Sequence, residues 1–211
     1  MFNDKYGLTK AVLEGRKTMT RRIIKCPRTF RGEWVAGFNI HRSPSDKKIV
    51  GFPCMYDADE REFDMGEILP KYELGEVVAI AQSYRDSGYS PDSLDRHPKD
   101  LSVRGLMKNS AGWNNKMFVK SYACRHHIKI VNVKIERLQD ISDEDCLKEG
   151  VIHAYTDNNG IKIYHTPHTK RGYLSTDVAQ QAFSFLIDKV SGKGTWESNP
   201  FVFVYEFKLI D

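Results

Sequence analysis

The sequence predicts an α+β protein built on a small curved sheet or barrel, with short helices beside it. Runs rich in β-branched and aromatic residues outnumber helical runs and are separated by turn residues. Two short helix-like segments each lie directly beside such a run, which favours a mixed α+β fold. The 211 residues are 40% hydrophobic and 28% charged, a composition typical of folded globular proteins and not of disordered chains.

Five runs are predicted to be barrel strands: 18–25, 76–84, 117–122, 127–138 and 201–210. In the fourth run the apolar residues change phase between Ile130 and Val133, which predicts a β-bulge. A β-hairpin is predicted over 155–164, around the turn sequence Asp157-Asn158-Asn159-Gly160.

Three helices are predicted, over 7–14, 142–149 and 175–190. Gly15 follows the first, where a left-handed C-terminal residue favours glycine. Ser142 is placed to cap the second, whose first turn is acidic, and Gly150 follows its end. The third is amphipathic, with an apolar stripe formed by Ala179, Ala182, Phe183, Leu186 and Val190.

We expect a single domain over 1–211 with two elaborations, at about 31–72 and 85–115. The first is punctuated by glycine and proline and predicts a hairpin or two. The second is polar and predicts a lid, a binding loop or a partly disordered segment. Within it Trp113 is expected to be exposed, whereas Trp34 and Trp196 are expected to pack in the core or at an edge.

Cysteine usage and hydropathy predict a cytoplasmic protein with no membrane segment. Four cysteines lie far apart with no C-x-x-C pair, which favours reduced thiols: Cys26, Cys54, Cys124 and Cys146. No apolar run approaches the ~20 residues that span a bilayer, and the N-terminus lacks an apolar signal core. No cofactor and no metal site is expected, because Pro167 prevents a helical pairing of His165 with His168.

The segment 15–31 concentrates the positive charge of the chain. It holds seven basic residues and no acidic one: Arg16, Lys17, Arg21, Arg22, Lys25, Arg28 and Arg31. The net charge of the whole chain is only +4, so the remainder is net negative. A local positive field beside the hydroxyl of Thr20 suits an anionic or phosphate-bearing ligand, although a solvated basic turn has the same composition.

Side-chain alternation predicts how this segment is arranged. On a strand over 18–25, Thr20 and Arg22 share one face, so Arg22 is expected to lie inward of Arg21. Lys17 lies in the turn before the strand and can lean over Thr20.

The spacing Gly15-x-Lys17-x-x-Thr20-x-Arg22 resembles the G-x-K-x-x-T-x-R motif of the ASCH domain family. Further landmarks occur in the order typical of that family. Tyr72-Glu73-Leu74-Gly75-Glu76 resembles its Y-x-x-G-D strand entry, 133–151 resembles the strand and helix of phage-type members, and 196–207 resembles their W-x-x-x-P and final strand. The resemblance covers most of the chain.

The resemblance implies a PUA-like β-barrel with short flanking helices, an irregular insertion and a cleft bordered by the motif. Such folds commonly bind RNA or modified nucleosides, so RNA or a nucleotide is the implied partner. The residues implied to bind it are Gly15, Arg16, Arg21, Arg22 and, by stacking, Tyr84.

Some family members are amidohydrolases that deacylate a modified cytidine through a Lys, a Thr and a Glu. By motif these correspond to Lys17, Thr20 and Glu149. Other members are described as metal-dependent ribonucleases, so the fold does not fix the reaction. The chain departs from the pattern at Gln82-Ser83-Tyr84, where relatives usually carry an E-x-W-like pair, and an amide replaces the carboxylate.

Two functions therefore stay open, a nucleotide-binding module and a hydrolase of a modified nucleoside. In the hydrolase, Lys17 as general base for Thr20 needs its pKa lowered by roughly 3 units, about 4 kcal/mol. Alternatively Glu149 activates water while a charged Lys17 stabilises an oxyanion. The hydrolase requires all three side chains around one small pocket, whereas the binding module requires only an open basic groove.

Overall fold

A curled antiparallel sheet of four strands forms the centre of the structure. The computed structural model describes residues 2–88, 114–117, 119–166 and 174–210. In chain order the four strands are β1 (Met19–Ile23), β7 (Val77–Ala79), β8 (His127–Arg137) and β12 (Phe201–Leu209). In space the order is β1-β12-β8-β7, so the C-terminal strand lies in the middle and β1 lies at an edge.

The central strand β12 is buried on both faces. Val202 and Val204 pack in one core, and Phe203, Tyr205 and Phe207 pack in a second core on the opposite side. This explains why the strand is an almost continuous apolar run instead of an alternating one. The predicted bulge in β8 is confirmed at Val131, because the strand residues on either side of it pair with consecutive residues of β12.

Helices pack on both faces of this sheet. The helices are α1 (Leu8–Leu13), α2 (Tyr84–Ser87), α3 (Asp143–Lys148), α4 (Ala179–Ser191) and α5 (Thr195–Ser198). Two of them, α3 and α4, pack on one face of the sheet, and α1 packs in the core on the other face. The predicted cap of α3 is confirmed, since the Ser142 side chain accepts from Asp145 N. The apolar stripe of α4 includes Ala182 and Phe183, which pack with Met19 of β1. The covered face of β1 is therefore an interior surface.

Three small antiparallel sheets lie outside the central one. A hairpin joins β2 (Thr29–Phe30) to β3 (Glu33–Trp34), and a second sheet contains β4 (Gly37–Asn39), β5 (Cys54–Tyr56) and β6 (Glu62–Glu67). The third contains β9 (Ile152–Thr156), β10 (Lys162–Thr166) and β11 (Leu174–Thr176), and its β9–β10 pair confirms the predicted hairpin. The elaboration at 31–72 does hold hairpins, as its composition predicts.

Two expectations about this part of the chain have different outcomes. Trp34 is 62% exposed, so the expectation that it packs in the core or at an edge is wrong. Most of the second elaboration, including Trp113, lies outside the described residues.

Three predicted boundaries are wrong for local reasons. Strand β7 ends at Ala79, and α2 begins at Tyr84, because Ser83 and Asp86 form a capping box. No strand forms in the described residues of 117–122. Instead the 3₁₀ turn Ser121–Ala123 satisfies its amides with carbonyls three residues earlier. The start of the predicted helix 175–190 pairs as strand β11, and α4 begins only at Ala179.

None of the helices in the described part of the chain is long and apolar enough to cross a membrane.

Candidate functional site

A cleft of about 800 Å³ runs along the outer edge of β1, between the N-terminal segment and α4. Lys17, Thr20 and Glu149 all line it, although more than a hundred residues separate Glu149 from the other two. The hydrogen bond from Thr18 N to Lys148 O joins the start of β1 to the end of α3. This junction brings the Lys17 and Glu149 side chains into contact, and Thr20 lines the same cleft.

Lys17 lies in the turn between α1 and β1. Gly15 adopts a φ of +72°, a left-handed conformation that lets the chain reverse there. The Lys17 side chain is 2% exposed, and its ammonium donates to Glu149 Oε2 at 2.6 Å, Glu149 O at 2.7 Å and Met19 O at 2.7 Å. These three bonds use all three donors of the ammonium. Lys17 is thereby fixed in one orientation at the floor of the cleft.

Two opposing effects act on the pKa of Lys17. Burial lowers the pKa from its usual value, and the nearby Glu149 carboxylate opposes that lowering. The net direction is downward, which is what a general base requires, while the three acceptors favour the charged form. Either role considered for Lys17, as a base for Thr20 or as a donor to an oxyanion, therefore requires that one of its three hydrogen bonds be released.

Glu149 ends α3 and is 5% exposed. Its carboxylate bridges two cations, with Oε2 accepting from Lys17 and Oε1 accepting from Arg21 Nη1 at 3.2 Å. The next residue, Gly150, has a φ of +109°, and a side chain there would approach Leu8 to 3.1 Å. A glycine therefore lets the chain turn directly behind the carboxylate.

Arg21 is internal, which corrects two expectations. Its side chain is 0% exposed, whereas Arg22 is exposed, so Arg22 does not lie inward of Arg21. Arg21 is also not a ligand-facing cation, because its guanidinium is already bound by Glu136 and Asp145 as well as by Glu149. Side-chain alternation places the two arginines on opposite faces of β1, and the face that carries Arg21 is the one that the helices cover.

The partners of Arg21 extend the network toward the surface. Arg21 Nη2 contacts Glu136 Oε1 at 2.5 Å and Asp145 Oδ2 at 3.1 Å, and the Lys134 ammonium lies 2.8 Å from the second oxygen of Glu136. Burial raises the pKa of Asp145, but Lys134 and Arg21 outweigh burial and hold that pKa below its usual value. Sequence reasoning missed Glu136 and Asp145. The acidic first turn of α3 was the available signal, but it was interpreted only as helix capping.

The other predicted binding residues fall into two groups. Arg22 lines the cleft and is exposed, as is Lys25, which the prediction did not single out. Arg16 is exposed but ion-paired with Glu14 at 2.6 Å, and the preceding Gly15 contributes only backbone.

Tyr84 does not offer the expected stacking surface. Its side chain is 7% exposed in α2 and does not line the cleft. Gln82, the position of the departure from the family pattern, is also buried, and its Oε1 accepts from Arg125 N. It lines a separate cavity. Both residues lie away from Lys17 and Glu149.

In the described residues no group of three His, Cys, Asp or Glu side chains is arranged to hold a metal ion. The three carboxylates of the network converge on the guanidinium of Arg21.

No family model matches this chain, and no curated protein or solved structure is detectably similar to it. The ASCH resemblance therefore depends on the motif and landmarks in the sequence alone.

Proposed function

We propose that the cleft along β1 binds a nucleotide, free or as one unit of an RNA strand, and that the fold is PUA-like of the ASCH type. The single observation that supports this most is the composition of the cleft. It combines exposed cations, a fixed ionic floor and an apolar wall in one space. A volume of about 800 Å³ lies within the roughly 300–1,000 Å³ typical of small-molecule sites.

Each part of the cleft suits a different part of a nucleotide. Arg22 and Lys25 are exposed at the cleft and suit a phosphate. Val190 of α4 and Phe2 of the N-terminal segment are only partly buried and present apolar surface on which a base or ribose can pack. At the floor, the Glu149 carboxylate oxygens each accept one hydrogen bond from Lys17 or Arg21 and can accept another from a ligand.

Binding of nucleoside monophosphates and of a ten-nucleotide single-stranded RNA tests this proposal, by calorimetry and fluorescence anisotropy over a salt series. We expect RNA affinity to fall with salt, and Arg22→Ala to flatten the log–log slope by about 0.7–1. Arg28→Ala is the matched control, because Arg28 is exposed in the same basic segment but does not line the cleft. Equal effects from both variants, or a salt-independent affinity, would contradict the proposal.

A second candidate function is hydrolysis of an amide on a modified nucleoside. It is favoured by the contact of 2.6 Å between Lys17 and Glu149 in a cleft that Thr20 also lines. In one route Thr20 Oγ1 attacks the amide carbonyl and passes its proton to a base. The amine then leaves with a proton, and water hydrolyses the ester formed on Thr20. In the other route Glu149 takes a proton from water, which attacks the carbonyl directly, and Glu149 then returns that proton to the amine nitrogen as the C–N bond breaks.

Incubation with a panel of N-acylated nucleosides, followed by mass spectrometry, tests the hydrolase. We expect Thr20→Ala and Glu149→Gln each to lower turnover by about 10²-fold or more, as is typical when a proton-transfer group is removed. Lys17→Arg should also fail, since arginine stays protonated and differs in reach. Full activity of folded Thr20→Ala would select the water route, and inactivity of the wild type on every member would reject the hydrolase.

A further inference from the structure

Among the residues that the structure describes, β1 pairs with another strand on one side only. Its partner is β12, and the bonds Phe207 N to Thr18 O (2.9 Å) and Ile24 N to Phe201 O (3.0 Å) fix the phase of the pairing. In an antiparallel pair, alternate residues direct both N–H and C=O to the partner strand. Thr20 and Arg22 are two such residues, and both direct their backbone N–H and C=O to β12. The intervening residues Met19, Arg21 and Ile23 therefore direct their backbone groups to the opposite edge.

That opposite edge borders the cleft. The Met19 carbonyl already accepts from Lys17 Nζ, which lies at the cleft floor. The backbone N–H and C=O of Arg21 and Ile23 make no hydrogen bond to any other residue that the structure describes. Unpaired backbone groups at a sheet edge are strong hydrogen-bonding sites for an added partner.

Apolar side chains flank this edge on two sides. Phe2 of the N-terminal segment and Val190 of α4 line the cleft and are partly exposed, whereas Phe183, Ile187 and Leu8 line it but are buried. A flat ligand between these groups would meet donors and acceptors at its rim and apolar atoms at its faces. Nucleobases have this form, with a donor beside an acceptor on the edge and two apolar faces.

We propose that the free edge of β1 recognises the base, through hydrogen bonds from the backbone N–H and C=O of Arg21 and Ile23. This inference rests on the proposed function and adds to it the group that reads the heterocycle. A polypeptide strand added to the same edge is the other chemistry that fits unpaired backbone groups. A base fits this edge better than an added polypeptide strand does, because β1 has only five residues and Lys17 already donates to its first outward carbonyl.

Backbone amide NMR of the full chain, titrated with AMP and CMP, tests the proposal directly. We expect shifts at the amides of Arg21 and Ile23, with much smaller shifts at Thr20 and Arg22, whose amides face β12. N6,N6-dimethyl-AMP lacks the exocyclic donor. We expect it to bind about 10-fold more weakly than AMP, the loss expected for one hydrogen bond.

A pair of variants separates backbone from side chain at the same position. Ile23→Pro removes the outward N–H, and proline is tolerated on an edge strand where that group faces away from the sheet. Ile23→Ala keeps the N–H and removes the side chain. We expect about a 10-fold loss of AMP affinity for the proline variant and a smaller loss for the alanine variant. If the proline variant misfolds, the proposal is still tested by the amide shifts of Arg21 and Ile23 and by the affinity for N6,N6-dimethyl-AMP.

The outcomes distinguish this inference from the proposed function. If AMP shifts the side-chain methyls of Ile187 and Val190 but not the two outward amides, the cleft binds nucleotides and the base is read elsewhere, so the inference is overturned. If a strand-forming peptide shifts these amides and no nucleotide does, the edge serves strand addition, and both inferences fail. If no nucleotide perturbs any signal of the cleft, the proposed function and this inference both fail.

Discussion

Two arginines make nearly the same contacts in two regions of the molecule, at opposite extremes of exposure. Arg21 in the central sheet binds Glu136, Asp145 and Glu149 and is 0% exposed, beneath the helices. Arg61 lies directly before β6, in the small sheet of β4, β5 and β6, which we call the accessory sheet. It binds Asp57 at 3.0 Å and Asp59 at 2.7 Å and is 73% exposed.

The comparison shows that burial, and not the number of ion pairs, sets how much the fold depends on each arginine. Around Arg61 water can solvate every group if the pair breaks, so the pair contributes little. Around Arg21 the three carboxylates are largely removed from water, and loss of the guanidinium leaves them close together without the cation that they share. The buried network is also the floor of the cleft, so its stability and the function of the site are linked.

The largest effect is expected for removal of Arg21. Arg21→Ala should lower the free energy of unfolding by about 3–5 kcal/mol, because three largely buried carboxylates lose the one cation that they all share. Urea unfolding followed by circular dichroism measures this. Arg61→Ala is the matched control and should leave the unfolding midpoint nearly unchanged. If the two variants are equally stable, burial does not distinguish the two clusters.

Thiol reactivity probes the same two regions without altering any charge. Burial raises the pKa of Cys146, beneath the central sheet, to about 12 from a usual 9.0, so about 10³-fold less thiolate forms at neutral pH. Cys54 lies in β5 of the accessory sheet and is only partly buried. A thiol reagent at pH 8 followed by peptide mass spectrometry should therefore label Cys54 before Cys146.

Labelling can also be combined with the arginine variants. Arg21→Ala should accelerate labelling of Cys146 because a less stable fold opens more often, and this outweighs the loss of a guanidinium that lowers the pKa of that thiol; Arg61→Ala should do neither. Rapid labelling of Cys146 in the wild type would mean that α3 does not seal this face of the sheet.

A smaller effect on stability is expected when the pH is lowered and Asp145 becomes protonated. Its pKa is lower in the folded chain than in the unfolded chain, so its contribution to stability is fully present above about pH 4. That contribution is lost as the pH falls through the folded pKa. Asp145→Asn should lower stability at pH 7 by about 1.5–3 kcal/mol, the range for hydrogen bonds to charged groups, and should flatten the acid side of the stability curve. A slope identical to wild type would show that other carboxylates govern acid unfolding.

The pattern of β-branched runs predicted four of the strands, and capping residues predicted α3, because these signals are local. The bulge was also predictable, because Ile130 and Val133 break the alternation within one strand. The strand predicted at 117–122 failed because a strand needs a neighbour to pair with. In the described residues of that run the backbone bonds to itself instead.

The spacing of Lys17 and Thr20, together with the position of Glu149 at a helix end, was enough to nominate three side chains that line one cleft. Which basic residues meet solvent was not predictable, because Arg21 and Arg22 differ only in which face of β1 they occupy. Local alternation gives the two faces but not what covers each of them. Packing of α3 and α4 on one face, through contacts more than a hundred residues away in sequence, made Arg21 internal and left Arg22 exposed. Burial and electrostatic pairing are properties of the assembled layers, and only the tertiary structure decided them.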